Sequence, residues 1–111
     1  MPYPDFIQSF PGLDVPFPED VVQSNVIRSD AGLVAFFTFH KDFELPLHSH
    51  GAQWGTVIEG EVELTIGGVT KTYGPGESYD IPAGVEHGGT VKAGSLVIDA
   101  FAEADRYPVK E

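Results

Sequence analysis

Three histidines and one glutamine are the side chains in this sequence best placed to do chemistry together. His48 and His50 alternate in "PLHSHGAQWG", Gln53 follows three residues later, and His87 ends "IPAGVEH". On a strand, side chains at i and i+2 leave the same face, so the two imidazoles project together, about 7 Å apart along it. Such a pair can share one divalent ion if other strands complete its coordination sphere. The chain has no cysteine, which excludes thiolate ligands, thiol catalysis and disulfides.

Short strands must position these groups. With 41% hydrophobic and 21% charged residues the 111-residue chain has the composition of one globular domain, and its 13 glycines and 9 prolines favour turns over long helices. The expected class is therefore all-β. "LVAFFTFH", "ELPLHSH", "QWGTVIEG", "EVELTI", "VTKTY", "SYDIP" and "SLVIDAF" read as strands separated by turn signals. Alternation in "EVELTI" puts Val62, Leu64 and Ile66 on one face and Glu61, Glu63 and Thr65 on the other. Gly67 and Gly68 match a two-residue hairpin turn, and Gly60 and Gly76 fall where turns need positive φ. Pro82 and Gly84 shape a corner that aims His87 inward. Only the final "AEADRY" offers a short helical reading. Residues 1–25, with Pro2, Pro4, Pro11, Pro16 and Pro18 and scattered aromatics, read as an extended arm. The expected organisation is arm 1–25, barrel 26–104 and tail 105–111.

Taken together, His48-Ser49-His50, Gln53 and Gly60 resemble the first conserved motif of the cupin superfamily, an H-x-H pair followed by a Glu or Gln seven residues before a glycine. Gly76, Pro82, Gly84 and His87 match the second motif, G-x5-P-x-G-x-x-H. The His50 to Gln53 interval is one residue shorter than usual, and Val91 stands where an asparagine often ends the second motif. The resemblance implies a double-stranded β-helix, or jelly-roll barrel, with His48, His50, Gln53 and His87 converging on one divalent metal ion: zinc, nickel, manganese or iron. Gln53 is either the fourth ligand or an inward polar residue hydrogen-bonded to backbone or water. Three imidazoles and an amide leave the ion's charge uncompensated, which favours Lewis-acid chemistry over oxygen activation by a two-His-one-carboxylate site.

Near the C-terminus "IDAFAEADRY" looks like the D-x-F strand and downstream arginine of the three-His, one-Gln cupins that convert cyclic unsaturated monouronates to linear keto acids. By that resemblance Asp99 is the proton-handling carboxylate, Phe101 lines the pocket and Arg106 grips a substrate carboxylate, although Arg106 sits one residue later than that pattern. Asp99 and Phe101 share strand parity, so both face the cavity if either does. An aspartate in the apolar run "VIDAF" needs a partner or a catalytic reason, because burying it unpaired is costly. A structural Asp99 and a catalytic one are equally compatible with the sequence. His40 reads as a strand-end surface histidine or a rim group, Trp54 and Tyr79 as core aromatics or sugar-stacking surfaces, and Glu44 and Asp80 as solvated.

Six basic against 17 acidic residues give a formal charge of −11, which repels phosphate backbones and anionic membranes. No nucleic-acid or membrane partner is therefore expected, and an anionic substrate needs a local positive site. "MPYPDF" lacks a signal-peptide pattern and "LVAFF" is too short to span a bilayer, so a cytoplasmic protein is the expectation. An open sheet edge and the arm suggest a homodimer. The leading function is a metal-dependent isomerase or lyase acting on a small hydroxy or keto acid or sugar acid, an anionic or carbonyl-bearing ligand. A non-catalytic metal- or ligand-binding module is the alternative, and an iron or nickel dioxygenase the third reading.

Overall fold

Strict alternation along "GLVAFFTF" is what a strand with one buried face requires, and in the computed structural model it forms β2 (Gly32–Phe39), with Leu33, Ala35, Phe37 and Phe39 buried. The structure describes residues 2–14 and 17–110; Pro16 of the expected arm lies outside them. The remaining strands are β1 (Val22–Ser29), β3 (Phe43–His48), β4 (Gln53–Glu59), β5 (Val62–Ile66), β6 (Val69–Tyr73), β7 (Ser78–Ile81), β8 (His87–Val91) and β9 (Leu96–Phe101).

They form two antiparallel sheets, one ordered β1-β2-β9-β4-β7 and the other β3-β8-β5-β6. From β3 onward the chain repeatedly crosses between the sheets, which produces the expected all-β jelly-roll architecture. Between the sheets, Leu33, Ala35 and Phe37 from one side join Val62, Leu64 and Val91 from the other in one buried cluster. Among the described residues no helix is long and apolar enough to cross a membrane.

Turn chemistry follows the glycines. Gly67 and Gly68 take φ of 55° and 83° in the β5–β6 hairpin, and Gly60 and Gly76 take 89° and 84°. Gly89 answers a different need. It lies on β8 between β3 and β5, where an added Cβ would stand 1.9 Å from the carbonyl oxygen of Glu63. Gly89→Ala must push β8 from β5 and is expected to destabilise the fold by about 1–3 kcal/mol, read as a lower denaturation midpoint in urea.

Two local readings are corrected. Within the stretch expected to be extended, Asp5–Gln8 makes one helical turn after Pro4, too short to leave a periodic signal. Nearby, the Tyr3 hydroxyl is placed 3.1 Å from the carbonyls of both Phe37 and Val97, and Asn25 donates to those of Gln8 and Phe10. At the other end "AEADRY" forms turns rather than a helix. Six residues carry little helical stability of their own, and the chain beyond them is drawn into a bridge between Val109 and Leu13.

Candidate metal centre

Strand ends bring the histidines together. His48 closes β3 opposite His87, which opens β8, while His50 lies two residues past the end of β3. Their ring centroids are 4.3 Å apart for His48 and His87, 4.8 Å for His50 and His87, and 5.2 Å for His48 and His50. One ligand atom from each falls within 4.8 Å of the others.

Backbone carbonyls set the tautomers. The Nδ1 atoms of His48, His50 and His87 stand 2.9, 2.8 and 2.9 Å from the carbonyl oxygens of Pro46, Gly51 and Val85. Only a protonated nitrogen can donate there, so each Nε2 keeps its lone pair for another partner. The Nε2 atoms of His50 and His87 are buried with no hydrogen-bond partner among the described residues. Burial also pushes the pKa of both rings below the ordinary histidine value, with the positive charge of Arg106 acting in the same direction. Neutral, oriented and otherwise orphaned imidazoles are the donors a divalent ion needs. His48, His50 and His87 can hold a metal ion.

Beside them lies a second polar group. Gln53 opens β4, and its Nε2 donates to Oδ1 of Asp99 at 3.0 Å; the Tyr79 hydroxyl donates to the same oxygen at 2.5 Å. Because the amide donates to a carboxylate, its carbonyl oxygen is the atom left for a cation. Asp99 is 7% exposed, and burial pushes its carboxyl up to about 6 against the opposing effect of the two hydrogen bonds. His48, His50, Gln53, His87, Asp99 and Phe101 all line one cavity of about 80 Å³. Asp99 and Phe101 therefore face it together, as their parity requires.

Arg106 departs from this group. It does not line the cavity but lies 4.2 Å from the ring centroid of Tyr107, which does. Its Nε is buried without a hydrogen-bond partner among the described residues, and its charge is felt at His50 and His87. His40 is exposed and pairs with Gln23 at 3.2 Å, away from the cavity lining. Trp54 is 46% exposed rather than in the core, while Glu44 and Asp80 are exposed as expected.

The motif residues, the crossing sheets and the clustered histidines agree with a comparison across protein families, in which the cupin domain model matches residues 35–97, more than half of the sequence. The chain belongs to the cupin family. This cupin is similar in fold to an RmlC-like cupin from Shewanella frigidimarina, with 24% identity and a TM-score of 0.78 over 96% of this chain and 95% of that one. It is also similar to KdgF from a Halomonas species, with 23% identity and a TM-score of 0.71 over 81% and 85%. Oxalate decarboxylase of Bacillus subtilis, a protein with Mn(II) centres, aligns at 16% identity with a TM-score of 0.73 over 93% of this cupin and 31% of the longer enzyme. No curated protein sequence matches the chain. At such identities the likeness is one of fold.

Three contributors to the cupin's site were not read from the sequence as such. Tyr79 reads as a core or stacking aromatic and is buried, and its hydroxyl also holds Asp99. Tyr107 lines the cavity and meets Phe101 edge-on at 5.7 Å. Glu103 accepts from the Gly51 amide at 2.6 Å and lies 3.9 Å from Nδ1 of His50. For Tyr79 one signal existed, a glycine inside a strand. A Cβ on Gly55 would lie 2.3 Å from both Oδ1 of Asp99 and the Tyr79 ring, so the missing side chain makes room for their contact. Tyr79→Phe removes a donor that favours the ionised carboxylate. Asp99 in the metal-free variant is expected to titrate higher than in the parent, as carbon NMR of labelled aspartate would show.

Proposed function

We propose that this cupin is a metal-dependent, non-redox isomerase or lyase that moves a proton on a small hydroxy or keto acid or sugar acid. The observation that carries the reading is a buried carboxylate, Asp99, in the same cavity as three Nε2-presenting histidines. His48, His50 and His87 would hold the ion, with the Gln53 carbonyl oxygen as fourth donor. A bound divalent ion supplies Lewis acidity toward a carbonyl or hydroxyl oxygen.

The chain's own groups do the rest. Tyr79 and Gln53 both bind Oδ1 of Asp99, which fixes the carboxylate and leaves Oδ2 to take or return a proton. Phe101, 5.7 Å from the His50 ring, presents an apolar face beside that histidine. Arg106 adds positive charge near His50 and His87, offsetting locally the repulsion that a chain of charge −11 exerts on an anion.

Proton NMR of the metal-loaded protein incubated with unsaturated uronates and small keto acids tests the proposal. New product resonances that depend on the metal are expected. Binding without any product would put a non-catalytic ligand-binding module in its place.

A further inference from the structure

Resting on that reading of the site, we propose that the ligand of this cavity is a short acid with a hydroxyl or carbonyl beside its carboxylate and a hydrocarbon tail, not a polyhydroxylated sugar acid. Among the described residues the polar side chains of the lining are the histidines, Gln53, Tyr79, Asp99 and Tyr107, whose ring meets Phe101 beside His50, and the wall beyond them includes Phe37, Phe39, Phe43, Leu45, Val62 and Leu64.

Counting the hydrogen-bonding capacity of the polar end sharpens the point. Each histidine Nδ1 is tied to a backbone carbonyl. The Tyr79 proton and one amide hydrogen of Gln53 are committed to Oδ1 of Asp99. If the Nε2 atoms and the Gln53 carbonyl face the cation, Oδ2 of Asp99, the second amide hydrogen of Gln53 and the Tyr107 hydroxyl remain for a ligand. These suit one polar head. Hydroxyls further along a sugar acid would lie against phenyl, isobutyl and isopropyl groups, where an unpaired hydroxyl is costly. No lysine or arginine lines the cavity to bind a second anionic group. A volume of about 80 Å³ also favours a small molecule over a ring with several substituents.

α-Hydroxybutyrate and threonate make a matched pair: both are four-carbon α-hydroxy acids, and threonate carries two further hydroxyls on the tail. Isothermal titration of the zinc-loaded protein, with the metal-free protein as control, is expected to show α-hydroxybutyrate binding tighter by roughly a hundredfold, the scale on which a hydrophobic pocket rejects an added hydroxyl. Leu45→Gln, at a half-buried position on the apolar wall, should narrow that ratio while zinc content stays unchanged. Equal or tighter binding of threonate, or no binding of either acid, would overturn the proposal. Because the readout is binding, a preference for α-hydroxybutyrate leaves this inference standing even if the product assay of the preceding section finds no turnover and the catalytic reading falls.

Discussion

Asp99→Asn is expected to lower turnover by about 10²–10⁴-fold, the usual contribution of a positioned acid or base, while the protein binds as much metal as before. The side chains are nearly the same shape, and an amide oxygen can still accept from Gln53 and Tyr79, which now meet at Oδ1. What disappears is the atom able to take a proton. The neutral amide also removes a group whose ionisation burial opposes, as the upward shift to about 6 indicates. The melting temperature should therefore hold or rise as activity falls, the trade-off of a charge retained for function. Metal analysis, calorimetry and the product assay on one preparation would check all three. Loss of metal in step with activity would instead mean that Asp99 acts by holding Gln53 and the centre together.

His87→Ala is expected to abolish stoichiometric metal binding at micromolar protein, measured by elemental analysis after dialysis. His87 is 1% exposed, and its ring lies 4.3 and 4.8 Å from those of His48 and His50, so its loss removes one of three clustered donors and leaves a gap inside the barrel. Loss of even an outer-shell partner commonly weakens a metal site by about 10–100-fold, and removing a ligand should cost more. The same centre predicts a pH limit with a definite sign. Protons compete with the cation for Nε2, and burial lowers the pKa of His50 and His87, so both stay neutral to lower pH than free histidine. Metal release on acidification should accordingly begin below the range of an unperturbed imidazole, near 6.5.

Much of the architecture could be read from local pattern. Alternation in "GLVAFFTF" and "EVELTI" is a strand property that burial on one face turns into β2 and β5. The paired glycines at 67 and 68 specify a hairpin because few other residues take positive φ at two successive positions. The histidine pairing is legible because the motif spacing carries it, while strand parity accounts for only part of it: His50 lies beyond the end of β3, not on it. Where pattern was short or competing contacts were strong, reading failed, as with the single turn at Asp5–Gln8 and the unformed helix at "AEADRY".

Gln53 shows where the boundary lies. Its place in the sequence, seven residues before Gly60, marked it as a candidate fourth ligand, and nothing local connected it to Asp99, 46 residues away. That connection exists because β4 runs between β9 and β7, setting Gly55 opposite both Asp99 and Tyr79 and bringing the carboxylate, the hydroxyl and the amide to one point. The sequence by itself determined the strands, the turns and the residue types that can bind a cation, because those depend on spacing and backbone preference along the chain. Only the tertiary structure decided which polar atoms are already bound to one another, which remain free, and that Arg106 stacks on Tyr107 outside the cavity lining. Hydrogen-bond satisfaction is a property of neighbours across sheets, and cross-sheet neighbours are set by packing rather than by spacing.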